Sequence, residues 1–373
     1  MNIESLFFYD KKFENKFIFR GKSLWPYCRQ YFYKYLKNYK KDFSLSNRKL
    51  PLKNILHVIR SHSNLKKSDT VYLISNRPQI LDLVNQFQNA NPSLKQEKAI
   101  YISQLGFDNP TNNYFLYCDF PKFIARGIFL FFSSRGLSKA VRLSLIEAKI
   151  QYYYYKILFK ILKPKKVYFI NWYDHYPALL SLSKEVITYE IQHGIIYKNH
   201  PGYNYGVSNS SKLIIPDNFI LWNDNFLDYI NLGKTINHEI FNRTPFNQNN
   251  IRKFKNCLII ISQHSIRNDI DIEIEKLKGS FTGYTKVVYR IHPKDRSIIN
   301  DIRKKLIHFN GIIIESPEDT PIESYLDCTN TFVGVFSTLF MDLIFQGYNC
   351  LILDLPEKNF LNELLIKDNA TLL

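Results

Sequence analysis

Polar side chains able to bind a phosphate follow short apolar runs in the second half of the chain. His292 and Ser337 each stand directly after such a run. A hydroxyl at a helix start, beside free backbone N–H groups and the helix dipole, can hold a phosphate. Histidine can donate to a phosphate oxygen, and arginine or lysine can neutralise its charge. We therefore predict a phosphate-binding set of Arg290, His292, Lys294, Ser337, Thr338, Ser262 and Asp342, with Glu323 accepting hydrogen bonds from ribose hydroxyls.

Each of these residues also has a purely structural interpretation. Ser337 fits an ordinary helix N-cap, and His292 before Pro293 fits a turn whose histidine is satisfied within the protein. Glu323 fits an acid in the first turn of a helix, where it favours the helix dipole. The order of the set on successive strand ends favours a binding site.

A second cluster lies in the first half, over residues 186–206. The apolar run 186–191 ends in Gln192-His193-Gly194, where glycine permits a turn with positive φ and close approach of a ligand. His193 is a candidate general base for a sugar hydroxyl, and the alternative is a structural turn residue. We predict a catalytic set of His193, Glu190 as its orienting residue and Asp174, with acceptor-side residues Gln192, Gly194, His200, Tyr203, Asn76 and Arg77.

The elements that position these residues alternate between strands and helices. Such alternation predicts α/β domains with parallel sheets, which bind ligands beyond the carboxyl ends of their strands. The predicted strands are residues 71–75, 99–105, 166–172, 186–191 and 218–223, then 256–262, 286–291, 311–316, 331–336 and 349–355. A polar stretch at 242–255 separates two Rossmann-like halves. We place the domains at 1–245 and 246–373.

Composition excludes several classes of protein. With 373 residues, 45% of them hydrophobic, the chain can bury large cores and is not disordered. It has no apolar run long enough for a spanning helix and no signal-peptide pattern at its start. The five cysteines are scattered without a CxxC pair, as expected of reduced thiols in a cytoplasmic protein. Neither GxGxxG nor GxxxxGK[ST] occurs, which disfavours nicotinamide enzymes and P-loop nucleotidases.

The charge is unevenly distributed. Residues 1–170 carry 30 Lys and Arg against 10 Asp and Glu, whereas residues 171–373 carry 20 against 23, so the net charge of +17 resides entirely in the first part. Lysines interleave with aromatic and aliphatic residues over 26–42 and 149–166. This mixture of basic and apolar residues is typical of a helix that binds an anionic membrane surface, of an ordinary solvated or core-packed helix face, or of a site for single-stranded nucleic acid. We expect peripheral membrane contact and no nucleic acid.

These motifs resemble those of bacterial surface-polysaccharide glycosyltransferases of the GT-B type. The similar segments are Gln192-His193-Gly194, Arg290 to Lys294, Pro321 to Glu323, and Phe336 to Asp342, within residues 165–355. The group includes capsule and lipooligosaccharide sialyltransferases, polysialyltransferases and CDP-glycerol glycerophosphotransferases. In the sialyltransferases an acidic residue is the base at the position of His193, while the glycerophosphotransferases have a His-Gly pair there.

The resemblance implies a fold of two Rossmann-like domains facing each other across a cleft. It implies a basic, acceptor-binding N-terminal domain and a donor-binding C-terminal domain. The activity would be the transfer of a sugar from a nucleotide-sugar donor to a glycan or lipid-linked glycan acceptor of capsule, lipooligosaccharide or O-antigen type. The transfer would invert the anomeric carbon and would need neither a metal nor a cofactor. It would take place in the cytoplasm, at the inner face of the cytoplasmic membrane. Two alternatives stay open: a CDP-glycerol or polyol-phosphate transferase, and a basic nucleic-acid-binding protein.

Overall fold

The chain forms two compact units, Met1–Arg243 and Thr244–Leu373. A computed structural model describes residues 3–13, 17–26, 28–29, 67–74, 78–96, 99–103, 137–172, 185–197, 200–206, 213–233, 235–241, 243, 246, 253–306, 311–356 and 370–372. We call the two units unit 1 and unit 2.

Unit 1 is built on a six-stranded parallel sheet whose spatial order is β4-β3-β5-β6-β7-β8. The order reverses between β3 and β5, which makes that crevice the topological switch point. Its strands are β3 (Thr70–Ile74), β4 (Ala99–Ser103), β5 (Lys166–Phe169), β6 (Ile187–Ile191), β7 (Asn218–Leu221) and β8 (Asn237–Ile240), preceded by an antiparallel pair, β1 (Ile18–Phe19) and β2 (Lys22–Ser23). Its helices are α1 (Ile3–Phe13), α2 (Pro78–Ala90), α3 (Pro92–Gln96) and α4 (Leu137–Leu162).

A row of stacked tyrosines crosses the sheet of unit 1. Tyr101, Tyr72, Tyr168 and Tyr189 occupy matching register positions on β4, β3, β5 and β6. Their ring centroids are 5.2, 5.0 and 4.7 Å apart along the row. Cross-strand aromatic pairs of this kind stabilise sheet pairing and fix its register. The row therefore fixes the relative positions of the strands that end near the predicted catalytic residues.

Unit 2 has a second six-stranded parallel sheet, with spatial order β11-β10-β9-β12-β13-β14. Counted from the first strand of the unit this is 3-2-1-4-5-6, the dinucleotide-binding order, and its switch point lies between β9 and β12. The strands are β9 (Cys257–Ile261), β10 (Lys286–Arg290), β11 (Ile312–Glu315), β12 (Thr331–Gly334), β13 (Asn349–Ile352) and β14 (Ala370–Leu372). The helices are α5 (Arg267–Lys276), α6 (Ile299–Lys305) and α7 (Thr338–Phe345), with 3-10 turns at 264–266, 293–298 and 322–325.

The predicted class of two Rossmann-like α/β domains is confirmed by these two parallel sheets. Every run predicted as a strand overlaps a strand of the structure. The central strands β9 and β12 are buried along their whole length, as expected when helices cover both faces of a sheet. In the described part of the chain, no helix is long and apolar enough to cross a membrane.

Candidate functional site

Two histidines meet at the carboxyl edge of the sheet in unit 2. His264 opens the 3-10 turn after β9, and His292 caps the 3-10 turn after β10. Because β9 and β10 are neighbouring parallel strands, both turns lie at the same sheet edge. The two imidazole centroids are 6.0 Å apart. A pair of imidazoles beside the switch point is a suitable arrangement for binding an anion.

A buried carboxylate, that of Asp295, fixes one of these rings. Asp295 is fully buried, and its Oδ1 accepts hydrogen bonds from Nδ1 of His264 at 2.6 Å and from the guanidinium of Arg267 at 2.9 Å. Its second oxygen, Oδ2, has no hydrogen-bond partner in the described part of the chain. With the Nδ1 proton of His264 donated to Asp295, Nε2 is the ring nitrogen left to meet a ligand; it donates to a phosphate only when the ring carries both protons.

His292 is held as a neutral hydrogen-bond donor. Its Nδ1 accepts a hydrogen bond from the backbone N–H of Lys294 at 3.1 Å. Partial burial lowers the pKa of His292, and Lys294 and His264 add to this while Asp295 opposes it. A neutral ring whose Nδ1 accepts carries its proton on Nε2, a tautomer that we assign from this hydrogen bond. His292 can therefore donate from Nε2 to a phosphate oxygen.

The start of α7 supplies further donors after β12. Ser337 is the N-cap, and its hydroxyl oxygen accepts the N–H of Phe340 at 3.1 Å. This satisfies one N–H of the first turn and leaves those of Thr338 and Leu339 without intrahelical acceptors. The N-cap alternative for Ser337 is thus confirmed, while its hydroxyl proton is still able to donate.

A close contact at Gly334 sets the position of α7. A Cβ built on Gly334 would lie 2.9 Å from the buried ring of Phe340. Only glycine allows the helix to approach the end of β12 this closely. The first turn of α7 is therefore held against the sheet edge near the switch point.

Two predicted phosphate ligands point into buried networks instead. Arg290 lies opposite Glu315 in the β10–β11 register and forms a buried ion pair with it at 3.0 Å, while also donating to the carbonyl of Thr320 at 2.7 Å. The Ser262 hydroxyl bonds to the Tyr289 phenol at 3.0 Å, within the core of the unit. Both side chains have structural partners, so we leave them out of the proposed site.

The remaining predicted members of this set are less defined. Lys294 is exposed beside His292, and Glu323 is half-buried in the 3-10 turn between β11 and β12. Asp342 is buried in the second turn of α7. The phosphate-binding roles of Lys294 and Asp342 and the ribose-binding role of Glu323 stay predictions. Among the residues that the structure describes, no group of three His, Cys, Asp or Glu side chains could hold a metal ion.

His264, Arg267 and Asp295 are not among the residues predicted from the sequence to bind phosphate. Asp295 stands three residues after His292, the spacing of a helix-capping residue and its acidic partner. That signal predicts a capping acid but not a bond to His264, which comes from a different strand end. The sequence alone therefore did not indicate this group.

In unit 1 Glu190, the residue predicted to orient His193, is buried. Glu190, at the end of β6, accepts hydrogen bonds from the Tyr203 hydroxyl at 2.8 Å and the Trp172 amide at 3.4 Å. Burial raises the pKa of Glu190 to about 8, against which these hydrogen bonds act only in part. Both hydrogen bonds go to residues other than His193, so Glu190 does not orient that histidine as predicted. The raised pKa favours its protonated form at neutral pH.

Two histidines follow β6. His193 is half-buried, and it interacts electrostatically with His200. Nδ1 of His200 accepts the N–H of Gly202 at 3.0 Å, and its ring contacts that of Tyr203, with centroids 4.9 Å apart. Burial, then His193 and Arg29, hold the pKa of His200 well below its ordinary value. His200 is therefore a neutral ring, and His193 is the remaining candidate base in this cluster.

The predicted roles of Gln192 and Gly194 need correction in part. Gln192 is buried; its side chain accepts the Trp222 amide at 2.9 Å and donates to the Gly194 carbonyl at 2.9 Å, so it joins the ends of β6 and β7. Gly194 does not adopt the positive φ that a glycine at this place permits. A Cβ built there meets no atom within 4 Å, so the backbone has open space on that side.

The N-terminal segment holds the loop that carries His200. Arg29 and Asp10 form a fully buried ion pair at 2.7 Å. Arg29 also donates to the carbonyl oxygens of Pro201 and Asn204, the latter at 2.7 Å, and Asp10 accepts the Gly206 amide at 3.0 Å. The early residues of the chain are thus structural partners of the loop 200–206. Asp174, Asn76 and Arg77 lie outside the described residues.

Comparisons with known proteins yield distant structural likenesses only. No protein-family model matches the chain, and no curated protein matches its sequence. One similar solved structure is the lipopolysaccharide outer core galactosyltransferase WaaB, at 10% identity and TM-score 0.44, covering 76% of this chain and 80% of WaaB. Acinetobacter baumannii MurG is similar at 9% identity and TM-score 0.46, covering 83% of this chain and 85% of MurG. UDP-GlcNAc 2-epimerase from Methanocaldococcus jannaschii is similar at 13% identity and TM-score 0.46, covering 82% of this chain and 88% of the epimerase. These likenesses are too weak to assign the chain a family or an activity.

Proposed function

We propose that the chain is a glycosyltransferase that takes its sugar from a nucleotide-sugar donor. The observation that carries this proposal is the cluster of imidazole rings and helix amides at the carboxyl edge of unit 2. Three adjacent parallel strands present them: β10 ends at His292, β9 leads to His264, and β12 leads to the first turn of α7. In a sheet of this order, the edge beside the switch point is where nucleotide phosphates bind.

The chemistry of these groups suits a departing phosphate. When the bond from the sugar to the nucleotide breaks, negative charge develops on the phosphate oxygens. Preorganised donors aimed at that charge stabilise the transition state without reorganisation. Nε2 of His292 and the free amides of α7 are such donors, and Lys294 adds a positive charge nearby. His264, held by Asp295, lies between them in the strand order.

Among the described residues at the end of β6 and in the loop after it, one is suited to take the proton of an acceptor hydroxyl. Burial raises the pKa of Glu190 to about 8, which favours its protonated form over a carboxylate base at neutral pH. The proton affinity of His200 is reduced by burial. His193 is therefore the general base in this proposal, and the attack that it assists would invert the anomeric carbon.

The finer parts of the proposal rest on the motif resemblance. They are a surface-glycan or lipid-linked acceptor, the acceptor and donor roles of the two domains, a reaction that needs neither metal nor cofactor, and a place at the inner face of the cytoplasmic membrane. Distant structural relatives that are transferases agree with the general activity but are not its basis.

Calorimetric titration of the full chain with UDP, CDP, GDP and CMP, without metal and then with Mg²⁺, tests the donor site. His292→Asn is the informative variant, because asparagine keeps a helix cap and removes the Nε2 donor. We expect wild type to bind one nucleotide selectively and the variant to bind it about tenfold more weakly. His238→Asn is the matched control, since His238 also lies near an aspartate, 4.0 Å from Asp224 in unit 1. Equal affinities of wild type and His292→Asn would refute the phosphate role.

Once the donor is known, His193→Gln tests the catalytic role. Loss of a general base typically slows turnover by about 10²–10⁴-fold. We expect a loss in that range with unchanged nucleotide affinity, because His193 is not part of the donor site. Near-normal turnover would exclude His193 as the base.

A further inference from the structure

Helix α4 of unit 1 exposes large apolar side chains beside lysines. Tyr153, Ile157 and Ile161 are 51%, 63% and 41% exposed. Lys149, Lys156 and Lys160 are exposed on the same helix. The opposite side is buried in unit 1 through Tyr155, Leu158, Phe159 and Leu162. The exposed side is therefore not a simple polar surface.

The apolar and basic side chains form two adjacent stripes. At about 100° per residue, Lys149, Lys156 and Lys160 fall within a sector of roughly 40°. Tyr153, Ile157 and Ile161 occupy the next sector, roughly 80° wide. From position 149 to 161 the stripes run for about 18 Å along the helix axis. One continuous side of the helix thus carries both exposed basic and exposed apolar side chains.

The turn between β1 and β2 extends this surface. The ring of Phe19 contacts those of Tyr152 and Tyr153, at centroid distances of 5.2 and 6.3 Å. The guanidinium of Arg20 lies 5.0 Å from the Tyr152 ring centroid, and Ile18 is 46% exposed. We call the combined surface the basic apolar face; its members are Ile18, Arg20, Lys149, Tyr153, Lys156, Ile157, Lys160 and Ile161.

We propose that the basic apolar face lies on an anionic lipid bilayer. Isoleucine and tyrosine side chains gain free energy by entering the apolar part of the interface, where a tyrosine hydroxyl still reaches water. Lysine and arginine beside them meet lipid phosphates, with their long aliphatic stems passing along the boundary. This inference concerns where the protein binds and is independent of its catalytic activity.

Two other occupants fit the face less well. Nucleic acid would use the lysines, but it gains affinity by stacking bases on flat rings, and three of the four exposed apolar residues are isoleucines. A second copy of the chain would bring like charges together. The only acidic residue of α4, Glu147, is buried and cannot pair with a partner's lysine. Charge complementarity therefore favours an anionic surface.

Co-sedimentation of the full chain with vesicles tests the proposal. We compare vesicles of phosphatidylcholine alone with vesicles of equal parts phosphatidylglycerol and phosphatidylcholine. Each lysine at an anionic surface strengthens binding about fivefold, so Lys149→Gln/Lys156→Gln/Lys160→Gln should weaken it on the order of 100-fold. Ile157→Ser/Ile161→Ser should also weaken binding markedly, because it removes the apolar insertion.

Unit 2 provides matched controls. Lys255→Gln/Lys276→Gln/Lys304→Gln removes the same charge from exposed positions, and Ile272→Ser/Ile313→Ser removes two isoleucines that are 50% and 44% exposed. Both controls should bind as wild type does. Since all changed side chains are at the surface, circular dichroism should show every variant folded.

A fluorescence measurement gives an independent readout. The three native tryptophans, Trp25, Trp172 and Trp222, are buried. Tyr153→Trp places a reporter in the face, and its emission should shift to the blue on anionic vesicles. The proposal is overturned if wild type does not bind these vesicles, if face and control variants bind alike, or if the reporter does not respond. Loss of RNA binding or of a dimer in the face variants, with vesicle binding unchanged, would identify another occupant and overturn it as well.

Discussion

Replacing Asp295 by asparagine separates the binding role of the His264–Asp295 pair from its structural role. Asparagine has nearly the same shape and keeps an acceptor for His264 and Arg267, but it has no charge. A hydrogen bond to a charged group contributes about 1.5–3 kcal/mol and one between neutral groups about 0.5–1.5 kcal/mol. Asp295 accepts two such bonds, so we expect unit 2 to lose about 2 kcal/mol of stability. For a domain of this size that lowers the melting temperature by about 7 °C.

The same change should weaken nucleotide binding. Because its Nδ1 proton goes to Asp295, His264 donates to a phosphate from Nε2 only as an imidazolium, and asparagine has no charge to pair with that imidazolium. Loss of one well-placed hydrogen bond corresponds to an affinity about tenfold lower. Calorimetric titration with the nucleotide that wild type prefers measures this directly, and differential scanning calorimetry measures the stability.

Asp271→Asn is the matched control for this experiment. Asp271 is also a buried acid of unit 2 with two donors, the Tyr289 hydroxyl at 2.6 Å and the Lys305 ammonium at 2.8 Å. It lies inside α5, and both of these donors are outside the proposed site. Both variants should lose comparable stability, and only Asp295→Asn should lose nucleotide affinity. If the two affinities match, Asp295 has only a structural role and our reasoning about His264 is wrong.

Two further predictions concern packing and pH. Gly334→Ala places a methyl group 2.9 Å from Phe340 and should lower the free energy of unfolding, measured with denaturant, by about 1–3 kcal/mol. Gly279→Ala is the control: a Cβ there meets no atom within 4 Å, so the free energy of unfolding should fall much less. Equal losses in the two variants would contradict the tight contact. Burial raises the pKa of Glu190 to about 8 in the folded protein, against about 4.5 when unfolded. Folding is therefore most favourable below about pH 4.5, where Glu190 is protonated in both states. As the pH rises from there to about 8, the free energy of unfolding should fall by up to about 5 kcal/mol. Glu190→Gln keeps an acceptor for Tyr203 and should remove this loss, so denaturation of unit 1 at about pH 5 and pH 8 should differ less than in wild type; an unchanged difference would show that Glu190 titrates normally.

The strands were predictable where their residues are buried on both faces. β9 and β12 form continuous apolar runs because helices cover both sides of the sheet. Two of the four edge strands, β8 and β14, were missed for the opposite reason. All four residues of β8 are exposed and mostly polar, and β14 has only three residues. With so few apolar residues or so short a run, neither pattern stands out from a loop, whereas the more apolar edge strands β4 and β11 were predicted.

The site residues were predictable by position but not by partner. Sequence places Arg290 at the end of a strand, and only the register of β10 with β11 reveals that it faces Glu315. Likewise, the bond from His264 to Asp295 joins residues 31 positions apart on two strand ends. Such pairs depend on how strands align, which the local pattern of residue types does not specify.

The His-Pro pairs of the two units show why a structural and a functional interpretation of one histidine are compatible. In both His200-Pro201-Gly202 and His292-Pro293-Lys294, Nδ1 accepts the N–H two residues on. Proline has no N–H, so that of the second residue is the first donor after the histidine that the ring can reach. The turn therefore satisfies Nδ1 and places the proton of the neutral ring on Nε2. Burial lowers the pKa of both histidines, which disfavours a second proton on either ring. A histidine that completes a turn in this way becomes a neutral Nε2 donor, which is the property required of His292 at a phosphate.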